Sequence, residues 1–321
     1  MDAFAPWPEL PYEAWKDTMA TLHMKLQIIG KVRLVLAPFE PQWQNVPLYL
    51  TARGLTTTPM ASGPKIFQVD VDLIDHQVIV STNQGDSRRI ALKAQPVADF
   101  YRDFMAALRS LQIEVEISPR PSEVANPIPF AEDTTHFAYD PAWAGRFFQV
   151  LSRIDVVLKA HRARFRGKTS LVDFFWGSFD LALTRYSGRS LEPPKTGGII
   201  MRKGADAEVI CVGFWPGNEK VPAPNFFAYA APAPAGIDQE PVRPAAAHWA
   251  PVVGEFLLPY EDVRSASSPR EAILEFCESV YGAGARLAHW DPNLVLREEL
   301  AGSRFDGGSQ FGRVGGTLVP D

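Results

Sequence analysis

Phe67-Gln68-Val69-Asp70-Val71-Asp72-Leu73, followed by Val78-Ile79-Val80-Ser81-Thr82 and Arg89-Ile90-Ala91-Leu92, decides the fold. Apolar and polar residues alternate with a period of two, so the three runs read as half-buried strands of an antiparallel meander. Upstream, Val46-Pro47-Leu48-Tyr49-Leu50-Thr51-Ala52-Arg53 reads as a strand ending near Gly54, with the proline placing it at an edge or a strand start. Before it, Trp15, Met19, Leu22, Leu26 and Ile29 recur at three- and four-residue steps and predict a helix over 12–36, with Gly30 a weak point in its last part. After Pro96 the period returns to that of a helix over 97–108, and Val115-Glu116-Ile117 reads as a short added strand. Pro119, Pro121, Pro127 and Pro129 then form a boundary.

The second half restarts the same order: a helix over 141–164, a strand over 174–184, strands over 208–214 and 255–258, and a helix over 269–288. Trp15 to Arg53 and Trp143 to Arg185 bracket comparable helix-to-strand units, with Trp43-Gln44-Asn45 and Phe175-Trp176-Gly177 in corresponding places. An amphipathic helix and a half-buried sheet cover one another's apolar faces. The fold class is therefore α+β: two tandem units of mostly antiparallel sheet with flanking helices. The repeat suggests duplication, beside the simpler reading of a shared alternation of ordinary elements. The expected division is 1–125, 126–300 and a flexible, glycine-rich tail over 301–321, with the two units meeting across a cleft. The stretch 222–251 is rich in Pro and Ala but carries Phe226, Phe227, Tyr229, His248 and Trp249, and is expected to be an ordered rim or crossing loop.

An apolar share of 46%, a charged share of 21% and a net charge of -5 over 321 residues fit an ordered protein that can bury a core. The mild acidity gives no global attraction for nucleic acid or an anionic membrane, and neither is expected as a partner. No run approaches the ~18 apolar residues of a membrane helix, and the N-terminus carries no basic region leading into an apolar one. Cys211 and Cys277 lie in apolar segments, where buried free thiols are the rule. Together these features predict a cytoplasmic protein; they assign no oligomeric state.

Candidate chemistry gathers in the second unit. Phe147, Leu151, Ile154, Leu158 and His161 share one helix face, which puts His161 near the core or a pocket mouth. A neutral buried histidine, a ligand contact and a general acid or base all remain open for it. Arg162, Arg164, Arg166 and Lys168 follow, suited either to a helix C-terminus or to an anionic ligand. Strand alternation from Trp176 places Trp176, Ser178 and Asp180 on one face, lining a pocket or stitching the fold with a polar network, and Arg185 on the other. Trp215, in Gly213-Phe214-Trp215-Pro216-Gly217, and Tyr229 offer stacking walls. Ser178 lacks the Gly-x-Ser-x-Gly turn of a hydrolase nucleophile. His23, Asp72, Asp75, His76, His136 and Asp140 fall at no compact ligand spacing, so no metal site is expected. Neither a phosphate-loop lysine motif nor Gly-x-Gly-x-x-Gly after a strand is present, which leaves cofactors unassigned.

The series Phe174-Phe175-Trp176-Gly177-Ser178-Phe179-Asp180-Leu181-Ala182, Arg185-Tyr186-Ser187-Gly188-Arg189, Gly213-Phe214-Trp215-Pro216-Gly217 and Glu255-Phe256-Leu257-Leu258-Pro259-Tyr260 resembles a mainly bacterial family catalogued as domain of unknown function 5996. The resemblance runs from the aromatic N-terminus through the helix ending near Trp290. It implies a shared domain and carries no catalytic assignment, cofactor or substrate class. Tyr186 stands where similar motifs are expected to hold Phe.

The leading expectation is a small polar or anionic ligand bound between the two units, contacting His161, Trp176, Ser178, Asp180, Arg185, Trp215 or Tyr229. The alternatives are a hydrolase or transferase using His161 or an acidic residue as base, and a protein-interaction scaffold built on the aromatic segment.

Overall fold

The computed structural model describes residues 6–196, 198–296, 311–314 and 317–320. Helix α1 (Tyr12–Leu36) buries the predicted stripe of Trp15, Met19, Leu22, Leu26 and Ile29. Pro38, two residues beyond it, cannot continue a helix. Strands β1 (Tyr49–Leu50), β2 (Gly54–Thr56), β3 (Met60–Ser62), β4 (Lys65–Asp72), β5 (Gln77–Thr82) and β6 (Ser87–Ala91) make an antiparallel sheet ordered β1-β2-β4-β5-β6, with β3 also pairing to β4. Helix α2 (Val97–Ser110) closes the unit. The short strand expected at Val115-Glu116-Ile117 does not form. These residues lie in an irregular crossing, where Val115 and Ile117 lean on the core without a ladder partner.

The second unit opens with α3 (Pro141–Arg162), started by Pro141 at its first position and by Asp140, whose carboxylate accepts from the Ala142 N–H at 2.8 Å. Strands β7 (Asp173–Phe175) and β8 (Asp180–Ser190), a short α4 (Ile199–Gly204), then β9 (Ala207–Trp215), β10 (Asn225–Ala231), β11 (His248–Ala250) and β12 (Glu255–Pro259) follow. They form a second antiparallel sheet in the order β11-β12-β10-β9-β8-β7. Helices α5 (Tyr260–Arg264) and α6 (Pro269–Leu287) complete it, the latter capped by Ser268. Within the tail, Phe311–Val314 and Thr317–Pro320 pair as an antiparallel hairpin. The rest of the tail, expected to be flexible over 301–321, lies outside the described residues.

Two expectations are corrected here. The stretch 174–184 is not one strand: Trp176 to Phe179 form the turn of the β7–β8 hairpin, closed by the Phe179 N–H donating to the Phe175 carbonyl at 2.8 Å. Phe179 takes a left-handed φ of 63° and sends its ring into the core, stacked on Phe147 at 5.3 Å. The aromatic stretch inside 222–251 is not wholly loop either. Residues Asn225–Ala231 form β10, in the middle of the sheet between β9 and β12.

The two sheets meet edge to edge. Leu48 and Phe174 exchange a pair of backbone hydrogen bonds, both at 2.9 Å, which brings the strand edge at β1 beside β7. Helices α2, α1, α3 and α6 pack side by side in that order over one face of the strand layer. The helix-facing strand residues, including Val69, Val71 and Val80 from the first sheet and Leu181, Val212, Phe226 and Leu258 from the second, join one apolar cluster spanning both units. On its other face the second sheet carries a smaller cluster of Ala182, Cys211, Phe227 and Leu257. No helix among the described residues is long and apolar enough to cross a membrane.

Candidate functional site

The sequence-predicted site residues fall in three places. Trp176 packs at the junction of the units. Its indole lies so close to Gly30 of α1 that a Cβ there would sit 2.3 Å from the ring, and its Nε1–H donates to the Val46 carbonyl at 3.0 Å. Gln27 reaches the same junction, its Nε2 3.5 Å from the Gly177 carbonyl, and is held in place by Ser122, donating to its carbonyl at 2.7 Å and accepting from its N–H at 2.8 Å.

His161 and Arg185 meet between α3, β8 and α6, where Glu278 of α6 joins them. His161 Nδ1 is 2.9 Å from Glu278 Oε1, and Arg185 reaches both carboxylate oxygens at 3.2 and 3.3 Å. Arg185 also donates to the His161 carbonyl, and its guanidinium lies 4.5 Å from the ring centre of Tyr281 and 5.1 Å from that of Phe165. Burial pushes the His161 imidazole down to about 4, so it is neutral at neutral pH. Burial alone would raise Glu278. The bond from His161 and the charge and bonds of Arg185 instead hold it well below the usual carboxylate range. The trio is an interior strut joining two helices to a strand.

Ser178, Asp180, Trp215 and Tyr229 belong to the opposite face of the second sheet. Ser178 donates to the Asp180 carboxyl across the hairpin turn, while Trp215 and Tyr229 border the cluster of Cys211 and Phe227. Burial raises Asp180 to about 7 and Glu255 to about 7. Strand alternation thus separates Asp180 from Arg185 as read from the sequence, whereas Trp176 leaves their strand altogether.

A different group of residues surrounds a cavity of about 660 Å³ at the seam between the units. Arg33 comes from α1; Glu40, Pro41 and Gln44 from the loop after it; Tyr49 and Leu50 from β1; Asp155, Lys159 and Arg162 from α3; and Lys168, Thr169, Leu171 and Val172 from the approach to β7. Four cations, Arg33, Lys159, Arg162 and Lys168, face two carboxylates, Glu40 and Asp155. Asp155 is already paired with Lys159 at 2.6 Å. Arg162 Nε donates to Thr169 Oγ1 and to the Ser170 carbonyl, both at 2.8 Å, and Lys168 Nζ donates to Gln42 Oε1 at 2.7 Å.

Arg33 is the most enclosed of the four cations, 7% exposed. Its Nη1 donates to the Thr57 carbonyl and, at 2.9 Å, to Thr58 Oγ1, which fixes the guanidinium plane, and the group lies 5.4 Å from the Tyr49 ring centre. Its Nε is buried with no hydrogen-bond partner among the described residues. The Nε and Nη2 edge is the pair of parallel donors that a carboxylate or phosphate accepts.

Of the residues around this cavity, the sequence alone points to Arg162 and Lys168 for an anionic ligand, and not to Arg33, Gln44, Tyr49 or Lys159. Arg33 did leave a trace, because it stands four residues after Ile29 on the apolar stripe of α1. A charge on a buried face needs a partner or a ligand. No match was found among curated proteins or among solved structures. The family model for a family of unknown function (DUF5996) matches residues 7–297, and the chain belongs to that family.

Proposed function

We propose that the protein binds a small anionic molecule, a carboxylate or a phosphate ester, in the seam cavity. The observation that carries this reading is Arg33: buried, oriented by Thr57 and Thr58, with an Nε that has no partner among the described residues, and lining a cavity with more cations than carboxylates. The volume suits a small ligand, since such pockets run from about 300 to 1,000 Å³. The positive lining also runs against the net charge of -5 of the whole chain, so it is a local feature. Tyr49, Leu50, Leu171 and Val172 supply an apolar wall for the uncharged part of the ligand. Two buried, unpaired thiols, Cys211 and Cys277, support a reducing compartment such as the cytoplasm. The repeated order of helix, strands and helix supports an origin by duplication.

Isothermal titration with sulfate, inorganic phosphate and acetate, against a chloride background, tests the reading. At least one of these probes is expected to bind, and Arg33→Met is expected to weaken it by about 10- to 100-fold, the loss of one charge-assisted hydrogen-bonding group worth roughly 1.5–3 kcal/mol. Equal affinity in the folded variant would sink it.

A further inference from the structure

Behind the cavity wall sits a carboxyl that anion capture by Arg33 leaves unused. Asp173 of β7 is 1% exposed; its Oδ2 accepts from Gln44 Nε2 at 3.4 Å, and its Oδ1 is buried with no partner among the described residues. Gln44 lines the cavity, as do Tyr49 and Val172 on either side of the same seam. In the antiparallel register set by Leu48 and Phe174, Tyr49 stands opposite Asp173. The other groups facing this carboxyl are Arg33 of α1, Ser170 in the loop before β7, and Asp180 and Tyr186 of β8, with Lys168 and Asp206 flanking Tyr186.

An ionised carboxylate only accepts hydrogen bonds. Ionised Asp173 therefore takes the N–H of Gln44 and leaves the glutamine carbonyl as the polar atom available to the cavity, where it repels an anion. A protonated carboxyl donates instead. It bonds the Gln44 carbonyl, the amide turns over, and its N–H group becomes available to the cavity. The same proton removes a negative charge from the neighbourhood of Arg33. Both changes favour an anion.

We propose that anion binding in the seam cavity is coupled to the uptake of one proton by Asp173 from solvent, with the Gln44 amide turning over between the two states. This inference rests on the anion-binding reading above. Burial and, more weakly, Asp180 push Asp173 up to about 7 against the pull of Ser170, Gln44 and Arg33, so the coupling falls at neutral pH. Anion binding must in turn favour the protonated carboxyl, because linkage is reciprocal.

Sulfate is the probe, because it does not titrate in the working range. Its Kd is measured by isothermal titration from pH 5.5 to 8.5, in two buffers of different ionisation heat, with the folded state checked by thermal melting. The expected Kd is level below neutrality and weakens by about tenfold per pH unit above it, with a buffer-dependent heat that reports nearly one proton taken up at pH 8. Asp173→Asn, neutral and able to donate to Gln44, is expected to bind sulfate with the tight, acid-limit Kd at every pH and to take up no proton. A flat wild-type profile without proton uptake, or a slope that persists in Asp173→Asn, overturns the coupling and leaves the pocket standing. The wild-type buffer comparison decides even if the variant fails to fold. No binding of sulfate, phosphate or acetate at any pH overturns the pocket reading and this inference with it.

Discussion

Arg185 is held inside the protein by groups from α3 and α6, and each member of its trio is acceptable there only because the other two are present. Removing the carboxylate leaves a buried cation with no counter-charge, a change that costs about 3 kcal/mol or more. Glu278→Gln is therefore expected to lose about 3 kcal/mol of unfolding free energy in urea at pH 7. Glu278 is lowered from an ordinary 4.5 to about 2 in the fold. Its contribution is complete above about 4.5 and lost as the pH falls toward 2, so the gap between variant and wild type should close over that window. Asp180 behaves in the opposite sense. Its folded value of about 7 lies above the ordinary 3.8, so the ionised form is penalised above neutrality and the penalty is gone below 3.8. Asp180→Asn, which still accepts from Ser178, is expected to stabilise the protein by about 1–2 kcal/mol at pH 8 and by nothing near pH 3.5, read from urea midpoints. The burial of His161 was legible from the stripe of Phe147, Leu151, Ile154 and Leu158. Its partner Glu278 was not, because 117 residues separate them and only the fold brings them together.

Among the elements, α3, α6 and strands β4 to β6 were legible because each buries one face and leaves the other more polar; α1 showed through its apolar spacing although it is buried all round from Met24 to Arg33, and the three-residue strands β2 and β3 were too short to show a period. Gln68, Asp70 and Ser81 alternate with Val69, Val71 and Val80, and the period shows. Strand β10 hid for the converse reason: Phe226 and Ala228 face the main core while Phe227 and Tyr229 belong to the cluster on the other face, so no polar alternation survives. The turn at Trp176 to Phe179 hid because its residues are as apolar as the strands around it. Contact between elements gives a sharper test at Gly30, where α1 meets the Trp176 indole. Alanine normally gains about 1 kcal/mol over glycine inside a helix. Here the added carbon would meet the ring at 2.3 Å. Gly30→Ala is expected to destabilise the protein by about 1–3 kcal/mol despite its better propensity, and a raised melting temperature would refute that packing.

At the scale of the whole molecule, one apolar cluster joins the helix-facing sides of both sheets, and Trp176, the Gln27–Gly177 contact and the Leu48–Phe174 bonds tie the units together. Such a shared core predicts one cooperative transition, with tryptophan fluorescence and far-ultraviolet circular dichroism coincident through urea unfolding. Two separated transitions would mean that the units fold independently. The paired plan could be read from the sequence because each unit repeats helix, strands and helix. The seam could not, since its cavity is assembled from residues between 33 and 172. The seam carries the functional account, and crystals grown in selenate test it most directly through anomalous scattering at the selenium edge. The account predicts an anomalous peak in the cavity beside Arg33 Nε and Nη2, with Arg162 or Lys168 within reach; selenate bound elsewhere with the cavity empty would contradict it.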